Sequence, residues 1–209
     1  MSEVIREALK RVQQPTAEAS GMFNAAYHDP AYFEFERDHL MAQTWVAVAF
    51  ERELPRDGYA KPFELMGLPL VATRNRAGEI SVFHNVCSHR GMVLIREEIE
   101  VQGSVRCPYH SWTYDLNGDL VNAPRSEFLE NFNRKEICLD KVQIEVFCHL
   151  VFINLDSSAE ALKTQTVNLA SEVMQYAPDL ANLTFSSRLT YKIKANWKSV
   201  VDNFLECYH

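Results

Sequence analysis

Apolar residues change their spacing twice along this chain, and each change predicts a change of element. In the first stretch Val4, Ile5, Ala8, Leu9 and Val12 fall on one helical stripe. HDPAYFEFERDHLMAQ predicts a second helix, with Asp29 as N-cap and Pro30 at the first helical position. From TWVAVAF onward the pattern shortens to β-rich runs, PLVATRN, EISVFHNV, SVRC, WTYDL, DLVN, QIEVF and LVFINL. NRAG and LNGD supply tight turns between them. After NLDSS the pattern turns helical over residues 158–176, NLTFSSRLTYKIKA predicts a strand, and NWKSVVDNFLECYH predicts a final helix.

These elements predict an α+β chain in three parts. Residues 1–44 form helices that pack on the body of the chain, residues 45–156 form an antiparallel β domain, and residues 157–209 open a further helix-and-sheet domain. That last part, about 50 residues, is too short to fold alone and is expected to be the truncated beginning of a larger unit. Composition then narrows the function. With 47% hydrophobic residues the chain can bury a core, and its net charge of −7, with no long basic run, argues against nucleic acid or an anionic membrane as partner. A charged N-terminal stretch and no apolar run of about 18 residues predict a cytoplasmic protein. The five cysteines, Cys87, Cys107, Cys138, Cys148 and Cys207, fit a reducing compartment, where thiols serve metal or redox chemistry.

Two stretches concentrate that chemistry. CSHRG (87–91) and CPYHSW (107–112) each place one thiolate and one imidazole on a loop after a strand. A single such pair is most often a buried cysteine beside a surface histidine. Two pairs in one β domain leave zinc in a Cys2His2 set, or a [2Fe-2S] cluster with Cys87 and Cys107 on one iron and His89 and His110 on the other. Zinc knuckles usually pair like ligands, whereas each loop here offers one of each, which suits the cluster. Backbone amides and the Tyr109 or Ser111 hydroxyls are candidate donors to the sulfurs, while Trp112 and Tyr114 are expected to shield and pack. Cys138 and Cys148 beside apolar runs are expected as buried thiols, and His149 has no functional account.

CxHRG followed by CPYHxWxYDxxG resembles the Rieske domain of the ring-hydroxylating, non-haem iron oxygenase family. The last stretch is similar to that family's NWKxxxDNxxExYH motif. By itself, DNFLECYH puts Asp202, Glu206 and His209 on one helical face, a pattern equally met in solvated acidic stripes. ExxH spacing also occurs in di-iron bundles, which need further glutamates from neighbouring helices. The resemblance implies that His209 is the first ligand of a mononuclear Fe(II), with the remaining ligands beyond the chain. It implies that Glu206 is a carboxylate bridging to the Rieske histidine of a neighbouring subunit, with Asp202 in support. Most of the family has aspartate at the bridge, and the glutamate resembles the branch that oxidises carnitine, betaine and stachydrine. The resemblance further implies NAD(P)H-derived electrons delivered by a flavin/iron-sulfur reductase or ferredoxin, O2 as co-substrate and a homotrimer. Its expected reaction is hydroxylation or demethylation of a small quaternary ammonium substrate. An aromatic ring hydroxylase and a Rieske electron carrier without oxygenase activity are the alternatives.

Overall fold

The computed structural model describes residues 3–206, which divide into two units: Gln43–Ser186, and the residues up to Ala42 together with those from Ser187 onward. Helices α1 (Glu3–Val12), α2 (Ala25–His28) and α3 (Pro30–His39) come first. The strands are β1 (Val46–Phe50), β2 (Tyr59–Leu65), β3 (Leu68–Arg74), β4 (Ile80–His84), β5 (Ile99–Glu100), β6 (Ser104–Arg106), β7 (Thr113–Asp115), β8 (Leu120–Asn122), β9 (Lys141–Phe147) and β10 (Leu150–Asn154). Helices α4 (Leu162–Gln165), α5 (Leu169–Tyr176) and α6 (Trp197–Leu205) complete the order. No helix among the described residues is long and apolar enough to cross a membrane.

In the larger unit a seven-stranded antiparallel sheet runs in the order β1-β10-β9-β4-β3-β2-β5, beside a three-stranded sheet β6-β7-β8. The alternating runs of the sequence become strands because each buries one face. Leu70, Ala72, Val82, Val142 and Ile153 form one core with Leu54. Val71 and Phe83, on the opposite face, join Val105, Tyr114 and Leu120 of the small sheet, with Leu116 from the turn after β7, in a second core that also takes in Cys87 and Cys107. That second core is what carries the two cysteine loops.

The LNGD turn is tied to this core. Gly118 has φ +90°, and a Cβ there would run into the Phe83 ring. Gly118→Ala is therefore expected to lower the stability of the domain by about 2–4 kcal/mol, from left-handed strain plus overpacking. Chemical denaturation would show a midpoint shift of that size, and an unchanged midpoint would contradict it.

Three expectations from sequence are corrected, and one strand, YAKPFEL, lies outside the runs read from the pattern. YAKPFEL forms β2 despite Pro62: β5 pairs only with Tyr59 and Ala60, so β2 is a sheet edge at Pro62. The helical pattern of 158–176 breaks into α4 and α5. No strand forms over 183–195, where Leu189, Tyr191 and Ile193 are 80%, 76% and 59% exposed. Alternation gives that segment a β pattern, but a strand needs a neighbour for its N–H and C=O groups. Finally, Cys138 is exposed and Cys148 half-buried. Cys148 and His149 form the two-residue turn of the β9–β10 hairpin at φ +48° and +62°, a conformation glycine adopts most readily. Here the Glu51 side chain meets His149 Nδ1 at 3.0 Å, and the Glu51 N–H donates to the His149 carbonyl at 2.8 Å.

In the smaller unit Asp29 caps α3 by accepting from the Ala31 N–H, with Pro30 as its first residue. Asn196 caps α6 by accepting from the Lys198 N–H at 3.0 Å.

Candidate functional site

The two cysteine loops share one backbone design. Each cysteine N–H donates to the carbonyl five residues on, Met92 at 2.8 Å and Trp112 at 2.7 Å. Each cysteine carbonyl accepts from the N–H four residues on, Gly91 at 2.8 Å and Ser111 at 3.1 Å. Gly91 and Ser111, at φ +67° and +62°, make the same left-handed turn in the two loops. The first loop is clamped at its base by Asn85, whose side chain donates to the Ile95 carbonyl at 2.6 Å and accepts from the Ile95 N–H at 3.0 Å. The second leaves β6 and returns into β7, whose register pairs Arg106 with Thr113.

This folding buries both thiols and gathers the two imidazoles. Cys87 and Cys107 are each 2% exposed. The His89 and His110 rings meet edge to face at 4.8 Å, and Trp112 stacks on His89 at 4.7 Å. Burial, then the neighbouring His110 and Arg90, hold the His89 imidazole below its ordinary pKa, in the neutral form that can donate a lone pair. His89 Nδ1 is itself buried without a hydrogen-bond partner. A ring nitrogen left so would be costly, and a metal is the partner that its lone pair fits. A pocket of about 510 Å³ opens beside the pair, lined by His89, His110, Trp112, Arg106 and Arg125 among others. Among the described residues no three His, Cys, Asp or Glu side chains converge for a single ion. A two-iron cluster takes two protein ligands on each iron, so two pairs satisfy it.

The hydroxyl beside a cysteine sulfur is that of Tyr114, 3.2 Å from Cys87 Sγ. Neither hydroxyl expected from the sequence takes this place: Tyr109 is exposed against His110, and Ser111 Oγ accepts from Arg106 Nη2 at 2.7 Å. The Ser88 N–H donates to the Tyr114 oxygen at 3.1 Å, leaving the phenolic hydrogen for the sulfur. Burial first, then the Cys87 contact, push Tyr114 above its ordinary pKa, so it remains a donor. Tyr114 is the one buried residue of three-residue β7, and nothing in the sequence around it marks the contact with Cys87.

Of the other expected site residues, Asp202 lies on α6 and Glu206 follows its last residue. Asp202 and Glu206 are linked by a backbone bond, the Glu206 N–H donating to the Asp202 carbonyl at 3.0 Å, and Glu206 is exposed as the C-cap. His209 and Cys207 lie outside the described residues. Lys198 carries no expectation from sequence, yet it is buried against Glu36 and stands four residues before Asp202.

Two family models match the chain in succession. Residues 44–133 match the Rieske [2Fe-2S] domain, and residues 180–209 match the ring hydroxylating alpha subunit (catalytic domain). The chain thus resembles the ring-hydroxylating oxygenase α-subunit family in both of its matched segments. It is 36% identical to the carnitine monooxygenase oxygenase subunit of Escherichia coli K12, over 88% of this chain and 49% of that protein. It thus spans about half the length of the curated relatives it matches. The apo form of the quaternary ammonium Rieske monooxygenase CntA superposes with a TM-score of 0.84 at 30% identity, over 88% of this chain and 54% of that one. Naphthalene 1,2-dioxygenase from Rhodococcus sp. superposes with a TM-score of 0.85 at 26% identity, over 100% of this chain and 49% of that one. The chain is thus similar to Rieske oxygenase α subunits, quaternary ammonium monooxygenases among them, and the two matched domains imply an iron–sulfur cluster and iron.

Proposed function

We propose that this chain is the front half of a terminal oxygenase component acting on a small quaternary ammonium compound. Residues 45–156 are its Rieske domain, and 1–44 with 157–209 belong with its catalytic domain. Cys87 and Cys107 would hold one iron of a [2Fe-2S] cluster and His89 and His110 the other; His209 would be one ligand of a mononuclear iron. The observation that carries this reading is the pair of matched loops that bury two thiols and bring two imidazoles together, with His89 Nδ1 left for a metal. When bound, the two centres supply electron relay from a reductase or ferredoxin and O2 activation for hydroxylation or demethylation.

The chain's own residues prepare that chemistry. Loop backbone and Tyr114 orient the sulfurs, Trp112 covers one face of His89, and neutral imidazoles keep the cluster less negative than four thiolates would. Glu206 would take a hydrogen bond from the neighbouring subunit's cluster-side imidazole in a homotrimer, with Asp202 behind it. The similarity to carnitine monooxygenase favours a trimethylammonium substrate, while the superposition on naphthalene 1,2-dioxygenase over the whole chain favours an aromatic one.

Anaerobically purified protein is expected to contain iron and acid-labile sulfide in equal amounts, and zinc without sulfide would overturn the cluster. With a complete catalytic domain and a reductase, consumption of carnitine, γ-butyrobetaine or glycine betaine is expected. Oxidation of naphthalene in their place would move the assignment to the aromatic branch.

Tyr114→Phe tests the sulfur contact. A hydrogen bond to the sulfur is stronger in the more negative, reduced cluster, so removing it favours the oxidised form. A loss of about 1–1.5 kcal/mol, at one electron, lowers the midpoint potential by about 40–65 mV. Spectroelectrochemical titration measures this, and an unchanged potential would show that the hydroxyl does not act on the cluster.

A further inference from the structure

Lys198, on α6, is only 7% exposed, a rare place for an ammonium group. Its Nζ stands 2.8 and 2.6 Å from the two carboxylate oxygens of Glu36 on α3, itself 5% exposed. Trp197 Nε1 donates to the same carboxylate at 3.3 Å. Three rings close around the ammonium, those of Tyr27, Tyr32 and Trp197, with centroids 5.6, 5.5 and 5.1 Å from Nζ. Four residues along, the Tyr27 hydroxyl donates to Asp202 at 2.9 Å. Lys198, Asp202 and Glu206 are each four apart and drift by only about 40° per step, so they share one stripe of the helix.

A buried ion pair contributes little net stability compared with apolar side chains of the same volume, but it is directional. An apolar contact lets a helix roll about its axis, whereas a two-oxygen grip on one ammonium, walled by three rings, fixes its rotation. We infer that Glu36 and Tyr27 are positioning residues for Glu206, setting through Lys198 and Asp202 the rotation of α6. This rests on the role proposed above for Glu206.

The test uses protein carrying a complete catalytic domain. After anaerobic reduction it is mixed with O2 and substrate, and cluster reoxidation is followed by visible absorption. The double variant Glu36→Leu with Lys198→Met is expected to keep the cluster spectrum and a melting temperature within about 3 °C of the parent. Its reoxidation should slow by roughly tenfold or more. A folded double variant that reoxidises at the parental rate overturns the inference. If the double variant does not fold, Tyr27→Phe decides: slowing by about threefold supports positioning, and an unchanged rate overturns it. If the parent itself shows no substrate-dependent reoxidation, the role of Glu206 fails, and hydrogen exchange on this chain judges the anchor alone. Glu36→Gln is then expected to speed exchange of α6 amides at least about tenfold while β-domain amides keep their rates. Equal α6 exchange would overturn the anchor.

Discussion

Replacing Cys107 with alanine is expected to remove the [2Fe-2S] cluster entirely, leaving purified protein with less than about a tenth of the parental iron and sulfide. The reason lies in how the thiol is held. Cys107 is 2% exposed, and its N–H and C=O are both committed to the turn. The hydroxyls of its loop are turned to other partners, Ser111 to Arg106 while the Tyr109 ring lies exposed against His110, so neither stands ready to replace the thiolate. A small buried methyl offers no electron pair, and three remaining ligands leave one iron held by a single protein donor. Stability separates this loss from a simple packing defect. In metal-free protein the substitution deletes one sulfur from a core and costs about 1–2 kcal/mol. In loaded protein the cost also includes binding free energy that only the folded state enjoys. The melting temperature gap between Cys107→Ala and parent should therefore be several-fold larger after cluster reconstitution than before it. Equal gaps, or retained iron and sulfide in the variant, would remove Cys107 from the ligand set.

How far the sequence foretells this centre depends on the range of the contacts involved. The matched loops are local: each turn closes within five residues, so CSHRG and CPYHSW carry their own geometry, including the left-handed turn at Gly91 and Ser111. Helix caps at Asp29 and Asn196 are local too, and both are legible. Tyr114 reads as a packing residue because its use depends on a meeting across 27 residues, which periodicity along one strand does not reveal. Glu36 and Lys198 meet across 162 residues, and both types are ordinarily solvated, so nothing in their neighbourhoods marks them as buried. The segment 183–195 fails in the opposite direction. Its alternating pattern states a preference for a ladder, but a ladder is a property of two strands, and one sequence run supplies only one of them. His149 falls between these cases. Its turn conformation is local, whereas its hold on Glu51 spans 98 residues.

Glu206→Gln, in protein with a complete catalytic domain, is expected to leave the fold and the cluster untouched while lowering coupled turnover about a hundredfold. Glu206 is exposed at the end of α6, where an isosteric amide changes stability by no more than about 0.5 kcal/mol. Its backbone bond to Asp202 and the Tyr27–Asp202 contact set the direction of the helix end without using the carboxylate's charge. What glutamine removes is the anionic acceptor. A hydrogen bond from an imidazole to a carboxylate is about twice as strong as one to an amide oxygen, and it also offsets positive charge on the ring. The amide can present its NH2 group instead, which repels an imidazole N–H and opens the contact. Glu206→Asp sets the scale, because it keeps the charge and withdraws it by one methylene, or about 1.5 Å. If connection between the centres is the role, turnover falls in the order glutamate, aspartate, glutamine, while melting temperature and cluster spectrum stay constant across all three. Parental turnover in Glu206→Gln would exclude the bridge, and if Glu206→Asp alone lost turnover, side-chain length and not charge would be what matters.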